Sequence, residues 1–192
     1  MKEPLLYRIT RPIIKVLFNF VYRPTYIGLE NIPENKACIL AGNHTNYLDC
    51  LLLISATKRT IHFLAKDDLS KGVKKIIFNN MGIIAVNRKK HDGKSLKIAC
   101  DFLKENKVIG IFPEGTINRT DDTIMPFKIG AVKMANDTSS YIVPFTIKGK
   151  YKIFRKTVIL QIYKPYKVKD DLNIENEKLM KKIKTIPCIK LQ

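Results

Sequence analysis

From Ile27 onward the chain alternates short β-branched runs with longer amphipathic ones, and no other feature narrows its fold as much. Such alternation reads as an α/β domain, whose strands form a mixed, largely parallel sheet flanked by helices. Strands are predicted at 37–42 ("ACILAG"), 61–65, 82–86, 108–112 ("VIGIF"), 141–147 and 157–163. Helices are predicted at 49–56 ("DCLLLISA"), 71–80, 94–106 and 129–137, and from Asn173 to a point before Pro187. In the run 94–106 the apolar residues fall at 96, 98, 99, 102 and 103, a helical spacing. A length of 192 residues suits one domain with a real core, expected over 24–192.

The first 23 residues differ in kind. The run 12–22, "PIIKVLFNFVY", is apolar except for Lys15 and Asn19, which at i and i+4 share a stripe of a helix. Pro12 disfavours helical geometry at Arg11, so a pair of short amphipathic helices is expected. Eleven helical residues span only about 16 Å, against about 30 Å for a hydrocarbon core. Lys2, Arg8, Arg11, Lys15 and Arg23 stand against the single acid Glu3, which suits a segment lying in an anionic leaflet. A helical cap on the core is the competing reading. No small-residue cleavage site follows this stretch, so it is expected to be retained.

A formal net charge of +18 with 45% hydrophobic residues describes a chain that folds and seeks anions. Nucleic acid, a membrane surface and phosphorylated substrates all fit that charge. A nucleic-acid module is disfavoured, because no aromatic-basic run or helix-turn-helix pattern is present. "GKS" at 93–95 is no phosphate loop, since Arg88 stands where a loop of that type needs glycine. His44, Asp49, His91 and Asp92 lack the spacing of a metal site, so no metal is expected. Cys38, Cys50, Cys100 and Cys188 include no C-x-x-C pair and read as reduced thiols of a cytosol-facing protein.

Two short stretches carry chemistry. In "NHTNYLD" (43–49) a histidine sits in the turn after a strand, five residues ahead of Asp49, with Asn46 as the expected cap of the next helix. Within one regular helix the two would lie about 140° apart, whereas from a turn the ring folds back over the first helical turn toward Asp49. A carboxylate on Nδ1 fixes the tautomer and leaves Nε2 as a general base, with no protein nucleophile in view. The substrate would then supply its own hydroxyl. "FPEGT" (112–116) likewise ends a strand, at the sheet edge where ligands bind in open α/β folds.

"NHTNYLD", "GIIAVNR" (82–88), "FPEGT" and "IVPF" (142–145), in this order, resemble the four blocks of the lysophosphatidic acid (1-acylglycerol-3-phosphate) acyltransferase family. The likeness covers roughly 37–147, and the N-terminal stretch is similar to the membrane-docking helices of small bacterial members. It implies the glycerolipid acyltransferase fold and transfer of an acyl chain from an acyl-carrier-protein or coenzyme A thioester to the sn-2 hydroxyl. The product would be phosphatidic acid, made without cofactor at the cytoplasmic face by a peripheral enzyme. By the same resemblance His44 deprotonates the acceptor and Asp49 orients it. Arg88 and Lys66 hold phosphate, Glu114, Gly115 and Thr116 shape the acceptor site, and Val143, Pro144 and Phe145 line the acyl side. Most members follow E-G-T with an arginine. Here position 117 is isoleucine and Arg119 lies two residues on, which keeps another lysolipid or hydroxyl acceptor open as an alternative. A non-catalytic lipid-binding protein of the same fold is the remoter one.

Overall fold

The computed structural model describes residues 4–66, 80–86, 93–120 and 122–185. Its centre is β2 (Cys38–Gly42), all five residues of which are buried, as expected of a strand covered on both faces. On one side of it runs β5 (Val108–Ile111), then β3 (Ile61–Lys66) and β4 (Ile84–Val86), all parallel. On the other runs β6 (Tyr141–Gly149), parallel to β2, then β7 (Val158–Ile162) antiparallel to β6, and β1 (Thr25–Ile27) at the edge. The seven-stranded sheet is therefore largely parallel with one antiparallel step, as the alternation of runs predicts.

Period-two alternation along β2 divides the core. Cys38 and Leu40 pack with Tyr7 and Phe18 of α1 (Leu5–Tyr22) and with Leu52 and Leu53 of α2 (Asp49–Ala56). Ile39 and Ala41 point the other way. They join Ala99 and Leu103 of α3 (Lys94–Lys104), Met134 and Ala135 of α4 (Gly130–Thr138), and Leu179 and Ile183 of α5 (Leu172–Thr185). Helices thus cover both faces. The helix expected over 71–80 lies outside the described residues.

Three expectations need correction. β1 and the 3-10 turn Leu29–Asn31 went unread, and the strand expected from 82 begins only at Ile84. The third is the N-terminal pair, which is one continuous helix, α1, with Pro12 inside it. Tyr7 before the proline and Phe18 after it are both buried in the same cluster, so one continuous helix seats both. The Tyr7 hydroxyl also accepts a bond from the Ile61 N–H (3.1 Å), and Arg11 Nε donates to the Thr57 carbonyl (2.7 Å). These contacts outweigh the local preference, and the proline ring is left on the exposed side. At eighteen residues α1 is about 27 Å long. No helix among the described residues is long and apolar enough to cross a membrane.

Pro12 withholds one backbone N–H from the Arg8 carbonyl and gains nothing from packing. Pro12→Ala is expected to stabilise the protein by about 1–3 kcal/mol, read as a higher midpoint of thermal unfolding. A lowered midpoint would mean that the fixed φ of proline outweighs the missing bond.

Candidate active site

The site begins where β2 stops. Gly42 is the last ladder residue, paired with Phe145, and a Cβ there would stand 2.4 Å from the Phe145 ring. Beyond it the side chain of Asn43 takes over the ladder: its Nδ2 donates to the Ile147 carbonyl (2.8 Å), and the Ile147 N–H donates to its Oδ1 (2.7 Å). The amide thus stands in for a peptide group, which frees the backbone of His44 to turn away from the sheet.

That turn delivers the histidine to the aspartate. His44 Nδ1 lies 2.9 Å from Asp49 Oδ2, and the carboxylate is fully buried at the first position of α2. The same oxygen accepts from the N–H groups of Thr45 (2.6 Å) and Asn46 (2.8 Å). Its partner Oδ1 accepts from the Tyr151 hydroxyl (2.7 Å) and the Thr45 hydroxyl (3.2 Å). Every neighbour is a donor, so the carboxylate is held as an acceptor and the proton of a neutral His44 belongs on Nδ1. Nε2 then carries a lone pair, and no hydrogen bond reaches it among the described residues. The side chain of His44 is 16% exposed, while Asp49, its partner, is fully buried. Asn46 departs slightly from expectation: its Oδ1 accepts from the Leu48 N–H (3.0 Å), but Tyr47 and Leu48 form a turn and α2 starts only at Asp49.

"FPEGT" meets this turn from the neighbouring strand. Phe112 stacks flat on the His44 ring, centroids 3.9 Å apart and planes 13° apart, which fixes the plane of the imidazole. A tight turn follows, closed by the Gly115 N–H to the Phe112 carbonyl (2.9 Å), with Gly115 at φ 75°, where a side chain is strained. Glu114 is buried with both oxygens engaged: Oε1 accepts from the His44 N–H and Oε2 from the Met125 N–H, each 2.8 Å. Burial raises its pKa, and the two N–H bonds act the other way. Its part in shaping the site is to tie three chain segments together. The Asn118 N–H to the His44 carbonyl (2.8 Å) adds a second tie.

The remaining expected residues lie around this centre. Thr116 and Arg119 are exposed in the loop beyond Gly115. Lys66 ends β3, and its backbone pairs with Val86 at the same end of the sheet as His44; its side chain is outside the described structure. Arg88, His91 and Asp92 lie outside the described residues. Val143 and Phe145 are buried in the cluster beneath α1 and α2, and Pro144, between them on β6 and paired with Ala41, is also buried. Sequence reasoning missed Tyr151 and Phe112. Only the adjacency of "F" to "PEGT" hinted at the second. A cleft of about 550 Å³ lined by Tyr166, Lys167, Lys178 and Lys182 opens near Ile142, at the opposite end of β6, and takes no part in this centre.

The acyltransferase family profile matches residues 23–148, about two thirds of the chain, including His44, Asp49, Phe112 and Glu114 but not Tyr151. The chain belongs to the acyltransferase family. A 1-acyl-sn-glycerol-3-phosphate acyltransferase of Borreliella burgdorferi is 32% identical over 182 residues, covering 83% of this chain and 71% of that protein. One from Bacillus subtilis is 27% identical over 147 residues, covering 75% and 72%. The crystal structure of the 1-acyl-sn-glycerophosphate acyltransferase PlsC from Thermotoga maritima superposes with a TM-score of 0.75 at 22% identity. It covers 93% of this chain and 77% of that one, a likeness of fold. In this chain the stretches "NHTNYLD" and "FPEGT" are in direct contact.

Glu114→Gln tests the tie between those blocks. An amide offers one acceptor where two N–H groups need one each, so a buried donor loses its partner. Stability is expected to fall by about 1–3 kcal/mol, measured by thermal or denaturant unfolding. An unchanged midpoint would show that the two N–H bonds contribute little.

Proposed function

We propose that the chain is a 1-acylglycerol-3-phosphate O-acyltransferase that makes phosphatidic acid in phospholipid biosynthesis. The observation that carries this reading is the His44–Asp49 pair, in which Nδ1 is held by the carboxylate and Nε2 makes no hydrogen bond among the described residues. The acceptor's sn-2 hydroxyl would give its proton to Nε2 as its oxygen attacks the thioester carbonyl of acyl-carrier protein or coenzyme A. The tetrahedral adduct collapses by expelling the thiolate, which takes the proton back from His44. No cofactor enters this sequence. The imidazolium formed on the way is stabilised by Asp49, whose charge is already held in place by other donors.

Lys66, Arg88 and Arg119 are the cations assigned to the acceptor phosphate, with Gly115 and Thr116 at the mouth of the site. Membrane docking is assigned to residues 1–23, at the cytoplasmic face. Support comes from α1: Leu5, Ile9, Ile13, Val16, Leu17 and Phe20 are each more than half exposed and share an arc of about 120° opposite Tyr7 and Phe18. A helix with one apolar face on the core and another facing out suits the interface of an anionic leaflet. Ile117 is the specific observation that favours a second reading, an acceptor other than lysophosphatidic acid.

His44→Ala is expected to lower acyl transfer about 10²- to 10⁴-fold or more with the fold intact, and Asp49→Asn to be comparably severe because it disturbs the tautomer. Near wild-type turnover of purified, folded His44→Ala would remove the general-base mechanism. Arg88→Ala is expected to raise KM for lysophosphatidic acid far more than for uncharged monoacylglycerol, and Arg119→Ala to do so to a smaller extent. Equal effects of Arg88→Ala on the two acceptors would exclude a phosphate contact there and favour the second reading.

A further inference from the structure

The stretch 150–157 joins β6 to β7 and reads "KYKIFRKT". Its tip exposes two large apolar side chains, Ile153 (63%) and Phe154 (52%), among four exposed cations, Lys150, Lys152, Arg155 and Lys156. No acidic residue occurs between Asp137 and Asp170, so β6, this loop and β7 carry no acid of their own. Phe154 adopts a left-handed backbone (φ 57°), an unusual conformation for a bulky residue and one that keeps its ring on the outside.

What fixes that outward ring is α1. The Phe154 N–H donates to the Val21 carbonyl (2.6 Å), its ring meets Phe20 edge-on at 5.6 Å, and the Arg23 guanidinium lies 5.9 Å from its centre. Phe20 is itself on the exposed apolar arc of α1. The arc therefore continues off the helix and onto the loop, as one surface rimmed by basic groups. The other end of the loop reaches the active site, where the Tyr151 hydroxyl donates to Asp49.

We infer that the β6–β7 loop is a second bilayer-docking element, inserting Ile153 and Phe154 into the same anionic leaflet as the apolar arc of α1. The inference rests on the membrane reading of α1 given above and extends it to a segment some 130 residues further along the chain. Three features select a leaflet over an acidic protein: continuity with the α1 arc, aromatic and aliphatic side chains at the summit, and cations at the rim, where anionic headgroups sit. A leaflet seated there also brings its lipids to the edge of the structure that holds Asp49.

The chain contains no tryptophan, so Phe154→Trp and Phe20→Trp each place a single tryptophan reporter in the chain. With vesicles of phosphatidylcholine and phosphatidylglycerol, both variants are expected to shift to the blue. Both should be quenched when the acyl chains are brominated. In addition, Ile153→Ser combined with Phe154→Ser is expected to weaken vesicle binding about tenfold or more, since two large apolar side chains leave the bilayer. Quenching of Phe20→Trp without quenching of Phe154→Trp would overturn the loop's role and leave that of α1 standing. Quenching of neither would overturn both. A blue shift of Phe154→Trp with acyl-carrier protein and not with vesicles would assign the tip to a protein partner and overturn the inference.

Discussion

The site depends on a carboxylate that water does not reach. Asp49 is fully buried, and a buried charge persists only where hydrogen bonds replace its hydration. Four residues supply them: His44, Thr45 through both backbone and hydroxyl, Asn46, and Tyr151 from 102 residues away. Its place at the start of α2 adds the favourable end of the helix dipole. Because these donors come from the turn 44–46 and from the β6–β7 loop, while the carboxylate itself opens α2, satisfying one charge brings three parts of the chain together. The imidazole is oriented as a by-product of that requirement. Burial and the nearby Asp49 both raise the pKa of Tyr151, so its hydroxyl stays a donor.

The same economy of means runs through Glu114. A second buried carboxylate fixes the backbone of His44 itself, while Phe112 fixes the plane of its ring. Position, tautomer and plane of one side chain are thus set by three different residues, none of which is positioned to react. Such redundancy is what a proton-transfer group needs, since catalysis of this kind is sensitive to displacements well under an ångström. It also explains why the two sequence blocks are so short. Each contributes a turn, and the sheet supplies the distance between them.

Much of this was legible in the sequence, and the exceptions have physical causes. Helix α2 spans the run "DCLLLISA" as expected, because a continuous apolar run flanked by polar turns leaves few alternatives, although its cap is Leu48 and not the expected Asn46. The pairing of His44 with Asp49 followed from the geometry of a turn. Tyr151 was not readable, since nothing in "KYKIF" marks a partner so distant in sequence. Glu114 was expected to shape the acceptor site, whereas its role in joining Met125 to His44 emerges only when β2 and β5 are adjacent. Strand β1 has three residues and exists through pairing with β7, which local propensity does not encode. The continuous α1 is the clearest case of tertiary packing overruling a local rule, for proline's effect on Arg11 is small beside the burial of Tyr7 and Phe18.

Asn43 imposes a length restriction on the chain. Its side chain pairs with Ile147 as a backbone unit would, so residue 43 is anchored to β6, and residue 49 is anchored as the first turn of α2. The five residues between have no slack, because the backbone of three of them is already bonded to Asp49 or Glu114. One more residue in this stretch would displace either the imidazole or the helix start. Surface loops ordinarily accommodate insertions at low entropic cost. Here the connection between a strand and a helix behaves as a ruler, and changes in chain length compatible with this site must fall elsewhere in the fold.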